Sequence, residues 1–340
     1  MVINRIPQQL TDDTKHIAKV REILAQMTVE EKLSMMHQRV PALERLGLKY
    51  FQTGAEVLHG VSWLGEATGL PQPPGLAATW DVDLLERLGE MVATELRAKH
   101  MGNPTVSLNV WAPVINPQRH PRWGRNEEGL SEDPNLTAQL GTAYARGLRG
   151  TDPQQWRTVP TAKHFLAYSN EIDRSSTNSQ LRPRVLHEYE LAAHHGAIAS
   201  GSFGAIMPSY NLVNGRPAHL CGDLISQLRD TSPHELLFVS DAGAPTNVLN
   251  PERYWETPAQ SAAALVRAGV DSFTDHDADT SPTMEKLRAA LAEGLLTEDD
   301  IDQAAFRLLL TRARTGEFGP ESDPYADVPA ADINLPAHQE

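Results

Sequence analysis

Apolar residues recur along this chain in two rhythms that take turns. Stretches with apolar positions three and four apart, as one helix face requires, alternate with short continuous apolar runs, as a strand buried on both faces requires. Leu84 to His100 is the clearest helix: LLERLGEMVATELRAKH carries one apolar stripe, and Asp81 and Asp83 both stand where an N-terminal cap belongs. Ser107 to Ile115 reads as a buried strand and Asn135 to Leu148 as the next amphipathic helix. The unit then repeats, with strands at Thr158–Phe165, Gly204–Ser209, Leu236–Ser240 and Val270–Thr274 and helices at Val185–Ala199, Ala259–Ala268, Pro282–Glu293 and Asp299–Arg314. This alternation predicts an α/β fold, a (β/α)8 TIM-type barrel of irregular build over residues 1–315. From residue 316 the chain (GEFGPESDPYADVPAADINLPAHQE) loses its period and turns to Pro, Gly and Asp, the composition of a linker, which suggests that a further domain follows.

Composition narrows the partners. The 340 residues suit one barrel, and 40% hydrophobic with 22% charged residues is ordinary for a globular chain with a real core. A formal net charge of -14, with no Lys/Arg run, disfavours nucleic acid and favours a neutral substrate. Cys221 is the only cysteine, which excludes an internal disulfide, and the thirteen His residues form no ligand motif, so no metal and no cofactor are expected. No apolar run is long enough to span a membrane, and the start MVINRIP lacks a signal peptide's apolar core. As written the chain reads as cytoplasmic, although a longer secreted precursor that had been trimmed would look the same. A homo-oligomer is left open.

In parallel barrels the chemistry comes from the C-terminal ends of strands and the loops just after them. The polar residues there are Glu56-Val-Leu-His59-Gly60, Pro121-Arg122-Trp123-Gly124-Arg125, Lys163-His164-Phe165, Met207-Pro208-Ser209-Tyr210-Asn211 and Val239-Ser240-Asp241. Asp241 follows an apolar run and precedes Ala-Gly-Ala, so its carboxylate stands at the barrel mouth beside a turn that lets a ligand approach; a cap or turn Asp reads the same way. Lys163 and His164 are adjacent donors suited to vicinal hydroxyls, yet strand alternation lets only one face the interior unless the backbone bends. Arg125 can present its guanidinium to hydroxyls or to the Asp241 carboxylate and hold it ionised, while Arg122 has Glu127, Glu128, Glu132 and Asp133 as structural partners. Trp63, Trp111, Trp123 and Trp255 are available as sugar platforms or as core, and none is assigned.

These motifs resemble glycoside hydrolase family 3, in its β-glucosidase and β-xylosidase branch, from LAQMTVEEKLSMM at Leu24 to the end of the chain. GAEVLHGVSW, PQPPGLAATWD, LNVWAPVINPQRHPRWGRNEEGLSEDP, TAKHFLAYSNE, IMPSYNLVNGRPA, LLFVSDAGA and AGVDSF occur in the family's order. The resemblance implies a seventh strand ending in Ser240-Asp241 with Asp241 as the catalytic nucleophile. It implies a sugar pocket lined by Glu56, Arg125, Lys163, His164 and Tyr210, with Met207 as an apolar wall. It places the general acid in an α/β-sandwich domain after INLPAHQE rather than in this chain, where Glu127, Glu128, Glu132 and Glu171 are the alternatives. His120 replaces the family's frequent Asp, and Ala242 replaces a Trp. Glu56 stands where many β-glucosidases carry Asp, and its length would crowd a hydroxymethyl group, which favours xylose. LAYSNEIDRSST lacks the Gly-His-Gly loop of the N-acetylglucosaminidase branch.

The expected reaction is retaining exo-hydrolysis of a neutral oligosaccharide or an aryl or alkyl glycoside, with two carboxyls about 5 to 5.5 Å apart. Two other readings compete. A non-catalytic carbohydrate-binding barrel is opposed by the intact Asp241, Lys163 and Arg125. A barrel lyase or isomerase acting on phosphorylated substrates is opposed by Asp275-His-Asp-Ala-Asp279, a poor anion cradle that reads as a solvated turn.

Overall fold

The computed structural model describes residues 8, 11–318, 324–325 and 327–338. The start MVINRIP and the linker positions 319–323, 326 and 339–340 lie outside the described residues. The strands are β1 (Arg39–Val40), β2 (Phe51–Ala55), β3 (Asn109–Val110), β4 (Val159–Phe165), β5 (Asn178–Ser179), β6 (Ala205–Pro208), β7 (Leu212–Val213), β8 (Arg216–Pro217) and β9 (Leu237–Phe238). One sheet runs β1-β2-β3-β4-β6-β9, parallel throughout except that β1 is antiparallel to β2. Parallel bridges from Val239 to Ser272 and from His37 to Phe273 close it into a ring. This is a TIM-type barrel of irregular build, with Asp241 after the sixth strand position from His37 rather than the seventh. The stretch between β2 and β3 adds helices and loops and no strand to the ring.

Alternation sorts the side chains of each strand. Val159, Ala205, Met207, Leu237 and Val239 pack together in one cluster within the barrel, while Ala162, Ile206 and Phe238 pack outward against helix residues such as Leu191, Ile198, Ile225 and Leu228. Met207 is buried and in register with Lys163. The expected strand Ser107–Ile115 shortens to β3, because Pro113 has no N–H to extend the ladder. Its extended chain still runs along β4: Ile115 donates to the Lys163 carbonyl at 2.7 Å, and Thr161 donates to the Ala112 carbonyl at 3.2 Å.

Helices begin where the chain supplies a cap. Asp81 rather than Asp83 caps Val82–Gly102, accepting from the Leu84 N–H at 2.9 Å. Asp133 caps Pro134–Arg149, and Thr28, Thr257 and Thr297 each form a reciprocal capping box. Helices Val82–Gly102 and Pro134–Arg149 touch backbone to backbone: a Cβ on Gly147 would stand 2.0 Å from the Glu86 carbonyl oxygen, and one on Gly89 would stand 2.2 Å from that of Tyr144. Helices Thr14–Leu24, Val29–Met35 and Gly222–Thr231 are additions to the expected set, as is β2. The sequence of β2, FQTGA, is half-buried and has no apolar run to announce it.

A second, three-stranded sheet of β5, β7 and β8 ties the loop after β4 to the loop after β6. Its hairpin turns at Asn214-Gly215, both with positive φ, as a tight two-residue turn requires. The described part of the tail docks on the barrel rather than standing free. The buried Glu95 carboxylate accepts from the Asn334 N–H at 2.9 Å and the Thr68 N–H at 2.9 Å, and pairs with His338 at 3.0 Å. Among the described residues no helix is long and apolar enough to cross a membrane.

Candidate active site

Asp241 is set by the turn that follows Val239. Ser240 accepts from the Thr274 N–H through its hydroxyl at 2.7 Å, and the Gly243 N–H, at φ +73, donates to the Thr274 carbonyl at 2.8 Å. The next helix, Ala244–Asn247, starts from Gly243 with no side-chain cap, so Asp241 is not a capping residue. Its Oδ1 accepts from the Ala242 N–H at 2.8 Å, and its own N–H donates to His219 Nε2 at 3.2 Å. Its Oδ2 is buried and accepts no hydrogen bond from the described residues.

Burial pushes the Asp241 carboxyl above the usual carboxylate range. The neighbouring Tyr210 hydroxyl, the Arg125 charge, the Ala242 N–H and the Lys163 charge each pull it back, without overcoming burial. The cations expected to hold it ionised therefore work in the expected direction but do not set the balance. Tyr210 acts on the carboxylate as an electrostatic neighbour while Oδ2 stays unpaired among the described residues.

Lys163 and His164 both reach the site. The pairing of β4 with β6 shifts register between Lys163 and Phe165, which is the bend that alternation alone forbids. The buried Lys163 ammonium lies 2.8 Å from Glu56 Oε2 and 3.1 Å from Oε1, so it aims the Glu56 carboxylate. Burial, with the charges of Arg125 and Lys163 adding to it, holds the His164 imidazole well below its ordinary pKa. Arg125 Nη2 lies 3.2 Å from His164 Nε2, and a guanidinium can only donate, so Nε2 is an acceptor. At 3.9 Å from Asp241 Oδ2, this neutral ring makes no ion pair with the carboxylate.

Arg125 also makes a two-pronged contact with Glu128, at 2.6 and 2.8 Å, and donates to the Tyr168 hydroxyl at 3.3 Å. Glu128, one of the partners foreseen for Arg122, thus serves Arg125, and Arg122 makes no ion pair among the described residues. Tyr210 is buried edge-on to Tyr168, with ring centres 5.9 Å apart, and Arg174 lies over its other face at 4.4 Å. Of the tryptophans, Trp111 packs against the barrel core, Trp123 stacks on His120 and lies under Arg119, and Trp63 is 89% exposed.

The geometry thus gathers Asp241, Tyr210, Arg125, His164, Lys163 and Glu56 at one mouth of the barrel, with Met207 inside it at the level of Lys163. Three buried neighbours went unforeseen. Asn116 brackets the His164 backbone, accepting from its N–H at 2.6 Å and donating to its carbonyl at 2.8 Å. His219 holds the Asp241 N–H, and Tyr168 bridges Arg125 and Glu171. No spacing betrays them, because each has a partner 22 to 48 positions away, and only the contact of Tyr168 with Glu171 is local.

Residues 14–311 match the model of the glycosyl hydrolase family 3 N-terminal domain. The chain belongs to glycosyl hydrolase family 3. β-D-xylosidase 1 of Arabidopsis thaliana is 31% identical to this family 3 domain over 340 residues, which take in 94% of this chain and 43% of that protein. The probable exo-1,4-β-xylosidase xlnD of Neosartorya fischeri is 34% identical, again over 94% of this chain and 43% of its own length. Among solved structures, the exo-β-xylosidase XlnD in complex with a xylobiose aziridine activity-based probe superposes with a TM-score of 0.86 at 29% identity, covering 93% of this chain and 42% of that one. The β-glucosidase DesR of Streptomyces venezuelae in complex with D-glucose gives a TM-score of 0.75 at 26% identity over 91% and 39%. The family 3 chain described here therefore spans less than half the length of these relatives.

Within this family 3 domain the four alternative acids divide by exposure. Glu127 and Glu132 are exposed. Glu128 is committed to Arg125, while Glu171 accepts from the Tyr168 hydroxyl at 2.5 Å and from Arg174 at 3.2 Å. Among the described residues no group of three or more His, Cys, Asp or Glu side chains is arranged to hold a metal.

Proposed function

We propose that this barrel binds the non-reducing-end sugar and supplies the nucleophile of a retaining exo-β-glycosidase that prefers β-xylosides to β-glucosides. The observation that carries the reading is the Asp241 carboxylate, buried at a strand's C-terminal end with Oδ1 held and Oδ2 unpaired. Its paired neighbours, Arg125 with Glu128 and Lys163 with Glu56, present donors without collapsing onto it. Oδ2 attacks the anomeric carbon while the bond to the leaving oxygen breaks, and that oxygen takes a proton from a general acid. Water then displaces Asp241 from the glycosyl ester. Glu56, aimed by Lys163, accepts from sugar hydroxyls, and neutral His164 lends its ring to the same face. The acid comes from outside the barrel, since Glu128 and Glu171 are engaged and Glu127 and Glu132 are exposed. The length of Glu56 and the xylosidase names of the relatives support the preference for xylose.

The test is intact mass spectrometry after incubation with 2-deoxy-2-fluoro-β-xylosyl and β-glucosyl donors carrying dinitrophenolate, a leaving group that needs no acid. One added pentosyl mass on the Asp241 peptide, lost in Asp241→Asn, is the expected result. A folded protein that takes up no label in a longer form of the chain would refute the nucleophile assignment, and faster labelling by the glucosyl donor would refute the preference.

A further inference from the structure

The acidic turn Asp275–Asp279 reads in sequence as solvated, and the fold divides it. His276, Asp277, Ala278 and Asp279 are exposed, whereas Asp275 is buried at 6%. Its Oδ2 accepts from the Thr246 hydroxyl at 2.8 Å and from Lys286 Nζ at 3.1 Å. The Lys286 side chain is itself 9% exposed and lies over the Phe273 ring at 5.0 Å, a costly place for an ammonium unless a carboxylate faces it. Burial lowers the Lys286 pKa, and Asp275 works against that lowering. His276 Nε2 is 3.4 Å from the same oxygen at the solvent edge. A buried ion pair that satisfies one threonine hydroxyl is an expensive way to stabilise a surface helix, so its position matters more than its energy.

That position is the far end of the nucleophile turn. Ser240 is held to Thr274 on one side of Asp241, and Gly243 is held to the Thr274 carbonyl on the other. Thr246 lies in Ala244–Asn247, one turn beyond, and Asp275 is the next residue after Thr274. The strand position 272–275 therefore grips the turn at three points, Ser240, Gly243 and Thr246, with Asp241 between the first two. Among the described residues the Asp241 carboxylate accepts one hydrogen bond, from the backbone of Ala242, so backbone placement bears on where Oδ2 points. Attack tolerates about half an ångström of error.

We propose that Asp275, charged and oriented by Lys286, is a positioning residue that acts through Thr246 to hold Asp241 in its attacking geometry. The inference rests on the reading of Asp241 as nucleophile. It assigns a role in the first chemical step and none in sugar binding.

The measurement is the rate of labelling by the fluoroxylosyl donor, resolved into the saturating rate constant and the half-saturating concentration, on the full protein. Thr246→Val keeps shape and removes the hydroxyl; Asp275→Asn with Lys286→Met removes both charges together, so that neither is left buried alone. Each is expected to lower the saturating rate about tenfold while the half-saturating concentration stays within about twofold. Thr246→Ser, which keeps the hydroxyl, is expected to restore the rate. Unchanged saturating rates in Thr246→Val and the double variant, with wild type labelled, would overturn this inference alone. So would equal losses in Thr246→Val and Thr246→Ser, or a change confined to the half-saturating concentration. No label on wild type would remove the nucleophile reading and this inference together. Thermal melting of each variant identifies a folding failure, and Thr246→Val, which disturbs no charge, decides if the double variant melts early.

Discussion

At the scale of single residues, the site is governed by which charges are buried and which are paired. Asp241 is buried with one oxygen unpaired among the described residues, and the Tyr210 hydroxyl is the strongest of the influences that keep its pKa from rising further. In the proposed role of nucleophile Asp241 must be ionised, so labelling is expected to be lost as pH falls through its raised pKa. Tyr210→Phe removes a downward influence and is expected to move that acid limb to higher pH. Labelling rate against pH for the two proteins is the check; coincident limbs would mean that Tyr210 does not govern the carboxylate. Most of this candidate site was legible in sequence, because Lys163, His164, Tyr210 and Asp241 stand at or just after apolar runs; Glu56 was read from its motif alone, since β2 before it has no apolar run. Asn116, Tyr168 and His219 were not, because their roles are hydrogen bonds to backbone and side chains remote in sequence. Arg125 was foreseen as a binder, but its tight pairing with Glu128 depends on a local turn that no periodicity encodes.

At the scale of elements, the long helices were read from their stripes and caps to within a few residues, Val82–Gly102 against Leu84–His100 and Glu298–Arg314 against Asp299–Arg314. Strands fared less evenly. A strand in a closed barrel is defined by what its neighbour donates, so β3 is cut short by Pro113 and β2 forms without an apolar run. Helix contact shows the same dependence. Gly147 lies inside a helix, where alanine is favoured by about 1 kcal/mol, yet its missing side chain lets two backbones meet. Overpacking of this kind costs about 1–3 kcal/mol, and the obstacle here is backbone, which cannot rotate away. Gly147→Ala is therefore expected to destabilise the domain by up to about 2 kcal/mol net in urea unfolding. A gain in stability would show that the helix pair can spread without loss.

At the scale of the whole molecule, burial couples stability to pH. His194 is held down to about 4 and His219 to about 3, both chiefly by burial. Below 6.5, their ordinary value, the unfolded chain takes up protons that the folded one refuses, so stability falls as pH drops toward those values. Each contributes a slope of ~1.4 kcal/mol per pH unit across that window. Glu190, pushed up to about 7 by burial, opposes them, since its contribution is full below 4.5 and is lost as pH rises through 7. Comparison with a variant isolates one group: His194→Leu is expected to lose stability less steeply than wild type between about pH 6 and 4.5, and parallel curves would contradict the buried neutral ring. The βα alternation, the helix caps and the order of polar motifs at strand ends could be read along the chain, because these rest on local periodicity and on residues a few positions apart. The backward run of β1, the reach of both Lys163 and His164 to the mouth, the docking of the tail on Glu95 and the burial of Asp275 against Thr246 and Lys286 emerge only in the folded chain. Those outcomes depend on ring closure and on charges brought together from distant parts of the chain, and no local pattern records which partner a buried charge will find.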